Sequence, residues 1–132
     1  MPFDNPHQTE FNDIELLLDA RNRLSNKDDW LQRRYQQGNR FCLVAALSVA
    51  AGSQDFQRPN KTERRLARLV VAQLPDTVPS LVRLRLITAR QRLMLFNDSP
   101  RTKHEDVVAL VGRAIDCALS RAPAYVSALE PS

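Results

Sequence analysis

The sequence predicts a mostly α fold: a single compact bundle of about five helices, with a short hairpin near residue 38. Three observations carry that expectation. Apolar residues recur at helical spacing in one segment after another. Capping residues and helix breakers separate those segments. Between them lies an uncharged, alanine-rich run from Phe41 to Ala51. The chain has 132 residues, and 43% of them are hydrophobic. That is one domain's worth of chain with enough apolar surface for a core.

The elements follow in order. Residues 1–8 hold two prolines and no periodicity, and they read as a loose arm. Thr9 is placed to cap a first helix, whose stripe is Phe11, Ile14, Leu17, Leu18 and Leu24. Ser25-Asn26-Lys27-Asp28-Asp29 ends it. The piece from Trp30 to Tyr35 reads equally as a short helix or an extended strand. Gly38-Asn39 is a turn signal. The run from Phe41 to Ala51 favours helix through its alanines, and Gly52 is a natural end for it. A helix apolar on nearly all sides belongs at the centre of a bundle.

After a polar loop over 53–61, Thr62 is placed to cap a helix with Leu66, Leu69, Val70 and Leu74 on its core face. Pro75 ends it. Ser80 would then cap a helix over 81–95. Val82, Leu86, Ala89 and Leu93 form one apolar face of that helix, and Leu84, Ile87, Met94 and Leu95 lie beyond flanking arginines on the other. A helix apolar on two faces has two partners, so self-association through 81–95, as a homodimer, is expected. The alternation Val82-Arg83-Leu84-Arg85-Leu86 also fits a strand. Asn97-Asp98 and Ser99-Pro100 break the chain again, with Asn97 suited to a left-handed C′ position. Thr102-x-x-Glu105 has the form of a capping box, and Asp106 adds charge to the same first turn. Val107, Leu110, Val111, Ala114, Ile115 and Ala118 make the last stripe, and Gly112 beside it suggests a close approach by a neighbour. Ala122-Pro123 closes that helix. The expected organisation is an arm (1–8), one helical domain (9–122) and a short tail (123–132).

No apolar run approaches the ~20 residues a membrane span requires. The N-terminal MPFDNPHQTEFND has neither the basic nor the apolar region of a signal peptide. A cytoplasmic location is the expectation. Cys42 and Cys117 stand in apolar surroundings with no CxxC. With only His7 and His104 to join them they make no zinc spacing. No metal site and no cofactor is expected, and the three scattered glycines make no phosphate loop.

Four sets of residues bear on function. Cys42 would sit in the first turn of the central helix, where the dipole favours a thiolate. His104 could act as base, Asn97 or Asp98 as orienter and Gln32 as oxyanion donor, which together are the parts of a cysteine hydrolase. The run FCLVAAL, however, carries no Gly-Ser-Cys-Trp type signature, and it reads first as a buried structural cysteine. Asn97-Asp98 has oxygen for a ligand, but it also suffices to stop one helix and start the next. The arginines form the third set. Arg64, Arg65 and Arg68 cluster on one helix, and Arg33, Arg34 and Arg40 bracket the Gly38 turn. With Trp30 and Tyr35 near, they would suit nucleic acid through phosphate contact and stacking. Net charge is +4 with acids interspersed, and no helix-turn-helix pattern is visible. Trp30 is the fourth, and a lone Trp in a small domain is usually an anchor.

Trp30 with FCLVAAL (41–47), then LFNDSPRT (95–102), then EDVVALVGRAI (105–115), resembles a family of small uncharacterised bacterial domains. Those carry a Trp, a Cys-Leu-x-x-Ala-Leu helix, and a Trp-Asn-Asp turn before a final helix of the form Val-x-x-Leu-x-x-x-Ala-Ile. Phe96 stands where the family pattern has Trp, and Val44-Ala45 where Leu-Gly is common. The resemblance implies one domain and a bacterial or phage origin. It brings no activity and no catalytic residue. It suggests that Trp30, Cys42, Asn97 and Asp98, with Thr102 and Glu105 at the next helix start, form one structural junction. The leading expectation is a non-enzymatic protein-interaction or self-associating module. A nucleic-acid-binding accessory protein using the arginines is the alternative, and a hydrolase centred on Cys42 the third reading.

Overall fold

The computed structural model describes residues 8–75 and 87–129. It is mostly helical, in the order α1 (Gln8–Leu24), a 3-10 turn (Lys27–Asp29), β1 (Gln36–Gln37), β2 (Arg40–Phe41), α2 (Leu43–Ala50), α3 (Lys61–Val71), α4 (Ala89–Asp98), α5 (His104–Ser120) and α6 (Pro123–Leu129).

α2 is the axis of the bundle. Leu43, Val44, Ala45, Ala46, Leu47 and Ser48 are all buried, and α1, α3 and α4 pack around them. α5 closes against α1 and α3, and α3 lies along α4. The core is filled by the stripes of each helix: Leu17, Ala20 and Leu24 from α1, Leu66 and Val70 from α3, Leu93 and Phe96 from α4, and Val107, Leu110, Val111, Ala114 and Ile115 from α5.

α2 ends in a Schellman motif. The Gly52 amide, at φ 75°, bonds to the Val49 carbonyl at 3.1 Å, and the Ser53 amide to the Ser48 carbonyl at 3.0 Å. Glycine adopts this left-handed backbone without steric cost. The hairpin joins Gln36–Gln37 to Arg40–Phe41 through Gly38-Asn39, with Gly38 at φ 62° in the first loop position, as a type II′ turn requires. Trp30 to Tyr35 is neither helix nor ladder. It is a bent loop, turning at 32–35, with Trp30 bridged in parallel to Phe41.

Several helix starts differ from the sequence expectation. α1 is already helical at Gln8, so Thr9 lies inside it rather than at its cap. α3 is capped by Asn60, whose side chain accepts from the Glu63 amide at 2.8 Å, and Thr62 falls inside the first turn. α5 is framed one residue later than Thr102-x-x-Glu105. The Asp106 carboxylate accepts from the Lys103 amide at 2.9 Å, while the side chains of Thr102 and Glu105 make no hydrogen bond among the described residues. α4 begins at Ala89 behind a capping box of Thr88 and Gln91, so Ile87 is outside the helix; residues 76–86, including Ser80 and Leu84, lie outside the described residues. Asn97 and Asp98 remain helical, and Asn97 is not a left-handed C′ residue.

Gly112 is not a close-approach site, because a Cβ placed on it meets nothing within 4 Å. Residues 123–129, expected as tail, form α6, with Pro123 at the first helical position. Tyr125 anchors α6 to α1. Its ring meets Phe11 edge-on at 5.4 Å, and its hydroxyl donates to Glu15 Oε1 at 2.6 Å. That hydrogen bond, together with burial, pushes the Tyr125 phenol above its ordinary value.

Candidate functional site

Cys42 is the N-cap of α2, not a residue of its first turn. Its Sγ accepts from the Ala45 amide at 3.3 Å, and the thiol is buried. Burial pushes its pKa up to about 11, against smaller lowering by the Ala45 and Val44 amides and by Arg90; Asp98 adds to the rise. Desolvation outweighs the helix dipole here, so the thiol stays protonated at neutral pH.

The other members of the hydrolase set are likewise engaged. Asn97 is 1% exposed. Its Oδ1 accepts from Trp30 Nε1 at 2.7 Å and from the Leu43 amide at 3.1 Å. Its Nδ2 donates to the Leu31 carbonyl at 3.1 Å and to Asp98 Oδ1 at 3.0 Å. That exhausts both donors and both lone pairs of the amide. Gln32 Nε2 donates to the carbonyls of Asn97 and Ser99 at 2.8 and 3.0 Å, serving the end of α4 rather than an oxyanion. His104 Nε2 faces the Leu24 carbonyl at hydrogen-bonding distance, tying the end of α1 to the start of α5, and its ring lies tilted 6.0 Å from Trp30. Asp98 Oδ1 also accepts from the Arg33 amide at 2.8 Å and holds Arg33 at φ 67°. The structure thus brings Trp30, Cys42, Asn97 and Asp98 to one junction around the start of α2. Thr102 and Glu105 make no side-chain hydrogen bond to it.

The six candidate arginines are sorted by their surroundings, and Arg40 Nη2 donates to the Trp30 carbonyl at 3.3 Å. Arg33 and Arg34 line a small cleft of about 120 Å³ with Tyr35, Cys42, Met94, Asn97 and Asp98. Arg65 is forked onto buried Asp13, with its shortest contact at 2.8 Å, and this bond raises the guanidinium pKa further. Arg64 and Arg68 are exposed and make no ion pair among the described residues, although Arg68 shares an opening with Glu10 and Asp13. Lys61 precedes them on the same stripe, so α3 presents an unpaired basic row.

Arg64 and Arg68 also line a cleft of about 410 Å³ between α3 and the start of α4. Arg90, from α4, lines it with them. Sequence reasoning missed Arg90 because nothing in its neighbours reveals its partners. Its Nε donates to Glu63 Oε2 at 3.0 Å, and its guanidinium carbon sits 5.3 Å from the centre of the Tyr35 ring. Glu63 is itself 1% exposed and takes a second bond from Ser53 Oγ at 3.0 Å. A buried carboxylate needs such partners. A third opening, of about 340 Å³, runs between α1, α3 and α5 over Leu69, Ala72, Ala114 and Ala118, with Arg68 and Arg121 at its edge.

Among the described residues no group of His, Cys, Asp and Glu could hold a metal ion, and no helix is long and apolar enough to cross a membrane. No curated protein and no solved structure matches the chain. A family model does: it spans residues 9–116, from α1 into the last turns of α5, and so covers the junction and the basic row alike. On that match the chain belongs to the family of unknown function DUF6197.

Proposed function

We propose that the domain is a non-enzymatic protein-interaction module, and that the exposed row Lys61, Arg64 and Arg68 on α3 receives an acidic partner. One observation carries the reading. Arg65 and Arg90 pair with buried carboxylates and are used inside the fold, whereas this row is exposed and makes no ion pair among the described residues. Basic surface without local acids attracts negatively charged partners and speeds their encounter. The commitment of Cys42, Asn97, His104 and Gln32 to structural bonds supports the same reading over a hydrolase.

The partner favoured is a different protein rather than a second copy docked through 81–95. Of the apolar positions assigned to the second face of that helix, Ile87 precedes α4 and Met94 packs on the core. Among the described residues of α4, Leu95 is the large apolar side chain left exposed.

The test is a titration of the isotopically labelled chain with a short glutamate-rich peptide, read by amide chemical shifts. Saturable shifts across Lys61 to Arg68 that fade as salt rises are expected. No saturable shift would overturn the reading. A stronger response to single-stranded DNA, falling steeply with salt, would replace it with nucleic-acid binding.

A further inference from the structure

We propose that the groove between α1, α3 and α5 seats one large apolar side chain of the acidic partner, on a segment whose flanking acids meet Arg68 from α3 and Arg121 from the end of α5. The acidic character of the partner rests on the reading above, while the seat rests on its own geometry. The groove holds about 340 Å³. Its floor is Leu69 and Ala72 from α3 with Ala114, Cys117 and Ala118 from α5.

Small side chains leave this space open. Deeper in the bundle, leucine, isoleucine and valine fill the gaps between helices. Here the floor is alanine and cysteine apart from Leu69, and such short side chains leave the volume above them for a group from outside. Leu69, Cys117 and Ala118 are half-buried and Ala72 is exposed, so the floor meets water. Covering it removes apolar surface from water, which is favourable. A recess between helices of a bundle is where such a group is best enclosed.

The rim sets the charge of the occupant. Arg65 lies on it but is forked onto Asp13, so those two charges cancel. Arg68 and Arg121 also line it, and neither makes an ion pair among the described residues. Glu10 marks the α1 edge. The groove is therefore basic along α3 and at the end of α5, and acidic only beside α1. A segment with its apolar group in the groove and carboxylates over α3 and the end of α5 complements that rim, and a basic segment does not.

Arg68 joins the groove to the exposed row of Lys61, Arg64 and Arg68. That row runs about 10 Å along α3 at a rise of ~1.5 Å per residue. One short segment laid along α3 thus brings its acids over the row and its apolar residue to the groove. The two parts of the surface do different work. Exposed ion pairs add little affinity by themselves. A large apolar side chain enclosed in a pocket is the usual anchor of an interface.

The experiment titrates the full chain, labelled at its alanine and leucine methyls, with a glutamate-rich peptide carrying one central phenylalanine and with the same peptide carrying alanine there. The phenylalanine peptide should bind about ten-fold more tightly or better, the scale of burying a phenylalanine side chain. It should also shift the methyls of Leu69, Ala72, Ala114 and Ala118. Ala72→Trp fills the groove from an exposed position. It should remove the gain while leaving the alanine peptide's affinity and the melting midpoint unchanged. Equal affinity of the two peptides, or a gain that survives Ala72→Trp, would overturn the seat while leaving the basic-face reading standing. The gain and the methyl shifts, with an affinity untouched by Lys61→Glu and Arg64→Glu together, would uphold the seat and overturn that reading. Binding by neither peptide would overturn both. The same methyl shifts on raising the protein concentration alone, with a rising mass in solution, would assign the seat to a second copy and overturn the acidic partner.

Discussion

The indole Nε1 of Trp30 donates to Asn97 Oδ1 at 2.7 Å, across 67 positions of chain, and the same oxygen accepts the first amide of α2 from Leu43 at 3.1 Å. A side chain of α4 therefore caps the central helix, while Cys42 caps its third amide from within. Asn97→Ala orphans the Trp30 indole, the Leu43 amide and the Leu31 carbonyl together. At roughly 1–3 kcal/mol for each buried group left unsatisfied, a loss of about 3 kcal/mol or more is expected in urea unfolding. Asn97→Asp should not rescue it. A carboxylate keeps the acceptors but loses both donors and sets a second charge against Asp98.

Arg33 is the one non-glycine residue with positive φ among the described residues, and Asp98 holds it there through the 2.8 Å bond to its amide. The left-handed backbone costs an ordinary L-residue roughly 1–2 kcal/mol. Arg33→Gly should therefore raise stability by a few tenths to about 1 kcal/mol, net of the entropy glycine adds to the unfolded chain. Asp98→Ala should lower stability by about 1–2 kcal/mol. Thermal melting of the two variants checks the pair, and an unchanged Asp98→Ala midpoint would remove Asp98 from the junction.

The Cys42 thiol, raised to about 11 by burial, gives a stability signature in alkali. In the unfolded chain the thiol ionises near ~8.5. Below that pH both states are protonated and the native state keeps its full advantage. Between there and about 11 only the unfolded chain has lost the proton, so stability falls as pH rises. Over the whole window the loss is about 3 kcal/mol at roughly 1.4 kcal/mol per unit. Cys42→Ala should flatten the part of the alkaline decline that belongs to this thiol, and Tyr125 accounts for a further part at higher pH. Iodoacetamide should modify native Cys42 no faster than global unfolding allows. Rapid labelling at neutral pH would contradict the buried, capping role.

Gly112 sits in the middle of α5 with open space where a Cβ would be. Gly112→Ala should stabilise the protein by about 0.5–1 kcal/mol, the usual helix-interior difference. A decrease in the melting midpoint would mean that the face beside Gly112 is occupied.

The elements legible in the sequence were those whose determinants are local. The alanine-rich run around 43–50 gave the central helix, Gly52 its end, and Gly38 the hairpin. The errors arose where two local solutions compete. Asn60 and Thr62 are both capping residues, and α3 starts in the earlier frame, where Asn60 accepts from the Glu63 amide. Thr102-x-x-Glu105 and Lys103-x-x-Asp106 both place an acid three residues on, and the chain folds in the second frame. α6 was missed because Pro123 was read only as the end of α5, although proline also suits the first position of a new helix. At the candidate site, the resemblance grouped Trp30 with Asn97 and Asp98, but it could not say that Asn97 caps a helix 54 positions earlier. Arg90 was invisible as a site residue because Glu63 and Tyr35 reach it through tertiary packing alone.

The most direct measurement is the affinity of the chain for a glutamate-rich peptide at low and high salt, for wild type and for the triple variant Lys61→Glu, Arg64→Glu, Arg68→Glu. Wild type is expected to bind, more weakly as salt rises, and the charge reversal to abolish binding in a protein that still melts like wild type. Equal binding by both proteins, or none by wild type at low salt, would contradict it.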